Sequence, residues 1–166
     1  SKMIGKAMKK LNNKGRPTVG AEVVVGSAFI PKSFIPLDEE RSFYYKSIAD
    51  QNSLVSLAAL LKKTQTLFGP LPNSFLSLFN SKKLSLLSET TPVVKLLSKD
   101  KGFVVFFSIE DSINLSDFLF SLDAFFSNQN LLYVVKTDIN FLKIQFKYIK
   151  DDYYILLENF IKYLNV

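Results

Sequence analysis

The chain has 166 residues, nearly half of them hydrophobic, and a formal net charge of +6. That length suits one compact domain with tails, and that apolar content excludes a chain disordered over most of its length. With no Cys and no His, the composition excludes disulfides, thiolate and imidazole metal sites, cysteine nucleophiles and the Ser-His-Asp triad, so the chain reads as a non-enzyme without metal or cofactor.

The remaining composition is skewed. Phe, Tyr, Lys, Asn, Ile and Leu are abundant and Trp is absent. The enriched types are largely those written with A- and T-rich codons, which hints at an AT-rich genome such as an organelle's. No stretch reaches the roughly 20 apolar residues of a membrane span. The longest uncharged run, Thr64 to Ser81, is broken by Gly69, Pro70, Pro72, Asn73 and Asn80. The N-terminus has no apolar core of a secretory signal. Residues 2–12 are Lys-rich and acid-free, as in a transit peptide or a retained basic arm.

The charge is concentrated. Lys2, Lys6, Lys9, Lys10, Lys14 and Arg16 carry six positive charges with no acid among them, and the rest of the chain is neutral, with 15 basic and 15 acidic side chains. A like-charged block on a neutral globule reads as an interaction tail for a polyanion. Phosphate backbone is the expected partner, through counterion release. An anionic membrane surface is the competitor.

In chain order, residues 1–40 read as a basic, irregular arm broken by Pro17, Pro31 and Pro36 and lying on a partner, with Val23-Val24-Val25 a short strand. Residues 41–150 read as an α/β domain. The aromatic stretch Arg41 to Ala49 predicts a strand. Asn52 or Ser53 caps a helix running to about Thr64, with Leu54, Leu57, Leu60 and Leu61 on one face and Lys62 and Lys63 in its last turn. Leu67-Phe68 begins a short strand, Asn73 caps a short helix through Phe79, and Pro92 opens another that finishes at Lys99 and Lys101. The apolar run Gly102 to Ile109 predicts a strand buried on both faces. Asn114 or Ser116 caps a helix with Leu115, Phe118, Leu119, Leu122, Phe125 and Phe126 inward, and strands follow at Leu131–Lys136 and Asn140–Tyr148. Residues 151–166 predict a C-terminal helix whose apolar face is Tyr153, Leu156, Leu157, Phe160, Ile161 and Leu164; that face packs on its own sheet or docks a partner helix. The fold class is thus α/β: a mixed sheet with packed helices, a basic N-terminal arm and a C-terminal helix.

No chemical motif emerges. The six glycines are scattered, with no phosphate loop. Glu110-Asp111 and Asp38-Glu39-Glu40 are runs of adjacent acids, which rarely converge on one point and read as solvated.

The order of elements from Ser42 to Ile144 resembles the large-subunit ribosomal stalk-base protein family, the universal ribosomal protein numbered ten, in an organellar form. The matching stretches are Ser42–Lys63 as strand, polar turn and Lys-ended helix; Leu71–Leu76 as a short strand; and Gly102–Ser108 through Leu131–Lys136 as strand, helix, strand. The resemblance implies a structural constituent of a mitochondrial large ribosomal subunit, in the matrix, bound to rRNA at the stalk base beside other ribosomal proteins. The helix over 153–164 would hold acidic stalk-protein dimers. The arm would grip phosphate through Lys2, Lys6, Lys9, Lys10, Lys14 and Arg16, joined by Lys62, Lys63, Asn73, Lys82 and Lys83 at the RNA-facing edge, contacts that position without reading sequence. The alternative is an accessory structural subunit of an organellar respiratory complex in the membrane.

Overall fold

The computed structural model of the chain describes residues 20–108 and 114–165. Among these lie strands β1 (Glu22–Val24), β2 (Val93–Lys99), β3 (Gly102–Ser108), β4 (Tyr133–Thr137) and β5 (Phe141–Lys147). The helices are α1 (Asp38–Ala49), α2 (Leu54–Phe68), α3 (Asn73–Leu87), α4 (Leu115–Asn128) and α5 (Tyr153–Leu164). The strands form one mixed sheet in the order β1-β2-β3-β5-β4, with β1 parallel to β2 and the other neighbours antiparallel. The expected α/β class, with a mixed sheet, packed helices and a C-terminal helix, is the architecture found; the expected basic arm, residues 1–16, lies outside the described residues.

Strand alternation builds the main core. Phe103, Val105 and Phe107 of β3 and Leu142, Ile144 and Phe146 of β5 are all buried on one face. Helices α4 and α5 cover that face. Phe107 meets Phe118 of α4 at 5.3 Å and Phe160 of α5 at 6.2 Å between ring centroids. Phe126 packs on Phe146 at 5.0 Å and on Phe160 at 5.5 Å. A second core, with Tyr44, Ile48, Leu57, Phe75 and Phe79 among its members, joins α1, α2 and α3. Helix α3 ties the two together, placing Leu84 in the first and Phe75, Phe79 and Leu86 in the second.

Several elements differ from the sequence expectations, each for a local reason. The aromatic stretch expected as a strand from Arg41 to Ala49 is helix α1. Asp38, Glu39 and Glu40 fill its first turn, where they complement the helix dipole. Its buried residues Arg41, Tyr44 and Ile48 recur at helical spacing, while Phe43 and Tyr45 stay exposed. Helix α2 is capped by Ser53, whose Oγ accepts from the Ser56 N–H at 3.1 Å. It runs through Leu67-Phe68 to Gly69, at φ 78°, so no strand begins there. Helix α3 extends to Leu87 instead of stopping at Phe79, and Pro72, not Asn73, holds its N-cap position.

The segment after Pro92, expected as a helix, is strand β2. It pairs with β3 through the two-residue turn Asp100-Lys101, whose φ values of 49° and 60° are those of a type I′ hairpin turn. Gly102 follows because the backbone of β5 lies against it: a Cβ there would stand 2.1 Å from the Phe146 carbonyl oxygen. Helix α4 starts at its expected cap, the Asn114 side chain accepting from the Asp117 N–H at 3.2 Å.

Residues 20–36, expected to lie irregularly on a partner, pack into the protein's own cores through Ala21, Val25, Ile30 and Ile35. They are tied to α3 and its end: Ser88 Oγ accepts from the Ala21 N–H at 2.7 Å, and Ser85 Oγ donates to the Ala21 carbonyl at 2.8 Å.

Candidate functional site

The helices α4 and α5 stand on one face of the sheet; the register defines what the other face carries. Val24, Leu97, Val104, Gln145 and Val134 form one row across all five strands. Glu22, Lys95, Phe106, Lys143 and Lys136 form the next, and Lys99, Gly102 and Lys147 a third. Val24, Val134 and Phe141 are among the exposed apolar residues of the protein. Glu22 lies 3.7 Å from Lys95, and the Lys143 ammonium sits 5.9 Å from the Phe106 ring centroid, a weak cation–π distance at an exposed site. The result is a lysine-rich surface whose exposed apolar residues lie at its rim, Val24 and Val134 on the edge strands and Phe141 at the start of β5, while Val104 at the centre of the row is buried.

This face runs into a cleft of about 570 Å³ at the β2–β3 turn, lined among others by Gly26, Lys99, Asp100, Lys101, Lys150 and Tyr153. The Tyr148 hydroxyl donates to Asp152 Oδ1 at 2.5 Å beside it. Gly26, at φ 65°, leaves room for the Tyr153 ring, since a Cβ there would lie 2.6 Å from its hydroxyl oxygen. Burial, followed by the proximity of Tyr154 and Asp151, pushes the Tyr153 phenol up to about 12. Burial and a 2.8 Å hydrogen bond to Asp123 also push Tyr133 up to about 12. Both phenols are therefore protonated donors at neutral pH, unsuited to act as bases. Among the described residues, no group of three or more acidic side chains converges as a metal site would, and no helix is long and apolar enough to cross a membrane.

The residues singled out from sequence do not come together. Lys2, Lys6, Lys9, Lys10, Lys14 and Arg16 lie outside the described residues, as do Glu110 and Asp111. Lys62, Lys63 and Asn73 are exposed. Lys82 and Lys83 serve the fold instead. The Lys82 ammonium donates to the Ala49 carbonyl at 2.8 Å, closing the end of α1, and Lys83 pairs with Glu158 of α5 at 2.8 Å. Asp38 pairs with Arg41 inside α1. The supposed partner-helix face is the protein's own core: Leu156, Leu157, Phe160, Ile161 and Leu164 are buried, and Tyr153 packs on Phe103 at 5.5 Å. A face with that width of apolar surface is covered by the sheet it folds against, leaving nothing for a second helix.

The basic face escaped sequence reading because its lysines span β2 to β5. On β5 the alternation of Lys143, Gln145 and Lys147 with Leu142, Ile144 and Phe146 is legible. On β2 the same alternation is hidden once the segment is taken for a helix.

Residues 24–118, more than half of the chain, match the family model of the TRCF domain. The chain belongs to the TRCF-domain family. The transcription-repair-coupling factor of Buchnera aphidicola subsp. Baizongia pistaciae (strain Bp) is 32% identical over 93 residues, which are 56% of this chain and 13% of that protein. The TRCF domain described here thus spans a small part of that relative's length. The crystal structure of the C-terminal domain of transcription-repair coupling factor superposes with a TM-score of 0.70, covering 89% of this chain and 94% of that one at 21% identity. At that identity the likeness speaks to fold.

Membership in the TRCF-domain family overturns the ribosomal resemblance and what it implied. The stalk-base role, the rRNA, ribosomal-protein and stalk-protein partners and the mitochondrial location fall together, and so does the respiratory-complex alternative. The resemblance rested on an opening strand that is helix α1 and on a short strand at Leu71–Leu76 whose residues from Asn73 begin helix α3, so the element orders do not correspond.

Proposed function

We propose that this chain is a partner-binding domain of a transcription-repair-coupling factor, without catalytic chemistry of its own. The observation that carries the reading is the match of residues 24–118 to the TRCF domain. The site chemistry supports it. The described residues offer raised, protonated phenols and dispersed lysines, with no paired acid and base among them, and a basic sheet face. The partners belong to the machineries that the relative's name joins, transcription and DNA repair, and the role is to link them by binding.

The test is a domain exchange. Residues 20–165 replace the matching C-terminal domain of a bacterial transcription-repair-coupling factor. Repair of a transcribed, damaged DNA template is then measured beside the intact factor and a deletion of the domain. The exchange protein is expected to couple repair to transcription as the intact factor does. Behaviour indistinguishable from the deletion would contradict the reading.

A further inference from the structure

The outer face of the sheet carries a charge pattern that the fold itself does not use. Lys99, Lys136 and Lys147 have no ion-pair partner among the described residues, and Lys95 has only the distant, exposed Glu22. Between the lysines stand valines at 54% exposure on β1 (Val24) and 57% on β4 (Val134). These valines stand on the two edge strands, with the lysines of the face between and beside them, so charge sets what this surface can contact.

The charge decides what can cover it. The chain's own residues 1–16 bring six positive charges and no acid, so they offer this face no complementary charge. A second copy would set lysine against lysine. Nucleic acid fits poorly as well. The face has no arginine for bidentate phosphate contacts, since the chain's two arginines are Arg16 and Arg41, and Arg41 is buried and donates to the Ile35 carbonyl. The exposed valines would face phosphates with nothing to offer.

Resting on the reading of the chain as a partner-binding domain, we propose that the outer face docks an acidic protein segment that carries apolar residues among its Asp and Glu. The row from Val24 to Val134 crosses five strands, about 19 Å at a spacing of about 4.8 Å, which about six extended residues span. Such a segment sets apolar residues against the exposed valines at the two ends of the row, Val24 and Val134, while carboxylates beside them reach the flanking Lys95–Lys136 and Lys99–Lys147 rows. Complementary charge steers the encounter and fixes register, and the apolar contacts hold the complex.

The test uses the 166-residue chain and a labelled 12-residue peptide of alternating Glu and Val. A Lys-Val peptide and a 12-base-pair DNA duplex are the comparators, and fluorescence anisotropy reads binding at two salt concentrations. The Glu-Val peptide is expected to bind more tightly at low salt, and the Lys-Val peptide not to bind. The K136E/K143E pair is expected to weaken the Glu-Val peptide about tenfold, while K62E/K63E, reversing exposed lysines on α2, leaves it unchanged. Amide shifts of the unmodified chain, followed by NMR, are expected to move at Val24, Leu97 and Val134, which keeps the test valid if a variant fails to fold. No binding of the Glu-Val peptide, equal loss in K62E/K63E, shifts confined to α2, or preference for the DNA duplex would each overturn the proposal. Such a failure beside a domain exchange that still couples repair would remove the docking face and leave the proposed function standing.

Discussion

The two faces of the sheet are written by the same strands, one residue apart, and they could hardly differ more. Toward α4 and α5, β3 and β5 present phenylalanine, valine, leucine and isoleucine, with aromatic rings interlocked and no charge. Away from them, the next residues along are Val104, itself buried, and Phe106 on β3, and Lys143, Gln145 and Lys147 on β5. Period-two alternation normally gives an apolar face and a solvated one. Here the solvated face carries lysines on its inner strands and exposed valines on its edge strands. The difference separates the residues that hold the domain together from those free to contact another molecule.

The sharpest way to break the comparison is to cut into the sealed face. Phe126 is fully buried among Phe146, Tyr133 and Phe160. F126A is expected to cost about 3–5 kcal/mol in chemical denaturation, the range for emptying a buried aromatic site. Gly102 lies where the two faces share a backbone. G102A drives a methyl into the Phe146 carbonyl and is expected to cost about 3 kcal/mol by overpacking, read as a lowered denaturation midpoint.

Smaller effects sharpen the contrast. Burial alone would raise the Glu158 carboxyl, but hydrogen bonds and charge from Lys83 and Lys162 outweigh it and bring the group below the usual 4.5. Its folded value therefore lies under its unfolded value. The stabilisation is present above that range and is lost as pH falls through the lowered value. With Lys83 45% exposed, the pair contributes less than about 1 kcal/mol. E158Q is expected to lower stability slightly at neutral pH and to lessen its decline below pH 4.5, measured by urea titration at several pH values. On the open face, V134S is expected to shift stability by less than about 0.5 kcal/mol. A loss there as large as that of F126A would mean that the face is part of the core.

Legibility in the sequence followed the local signals. The Gly102 to Ser108 strand, the Asn114-capped helix, strand β5 and the C-terminal helix all announced themselves by apolar period and caps. Helix α1 was hidden because Phe43, Tyr44 and Tyr45 favour strands by type, whereas the three acids before them and the spacing of Arg41, Tyr44 and Ile48 favour a helix. Strand β2 was hidden because its turn, Asp100-Lys101, lacks the glycine that usually marks a type I′ turn. The open face was less legible still. Its lysines are assembled by strand register, and register is a tertiary property with no local trace. The basic tail drew attention to a concentrated charge, while the charge that the fold assembles lay dispersed along the chain.

The chain has no cysteine, so a single introduced thiol reports the cover over each face directly. V134C on the open face and I144C on the sealed face would be exposed to a thiol reagent under native conditions. V134C is expected to label at the rate of a free exposed thiol, and I144C to stay protected until the protein unfolds. Equal protection at both positions would mean that the outer face is covered, and would contradict the division on which this account of the domain rests.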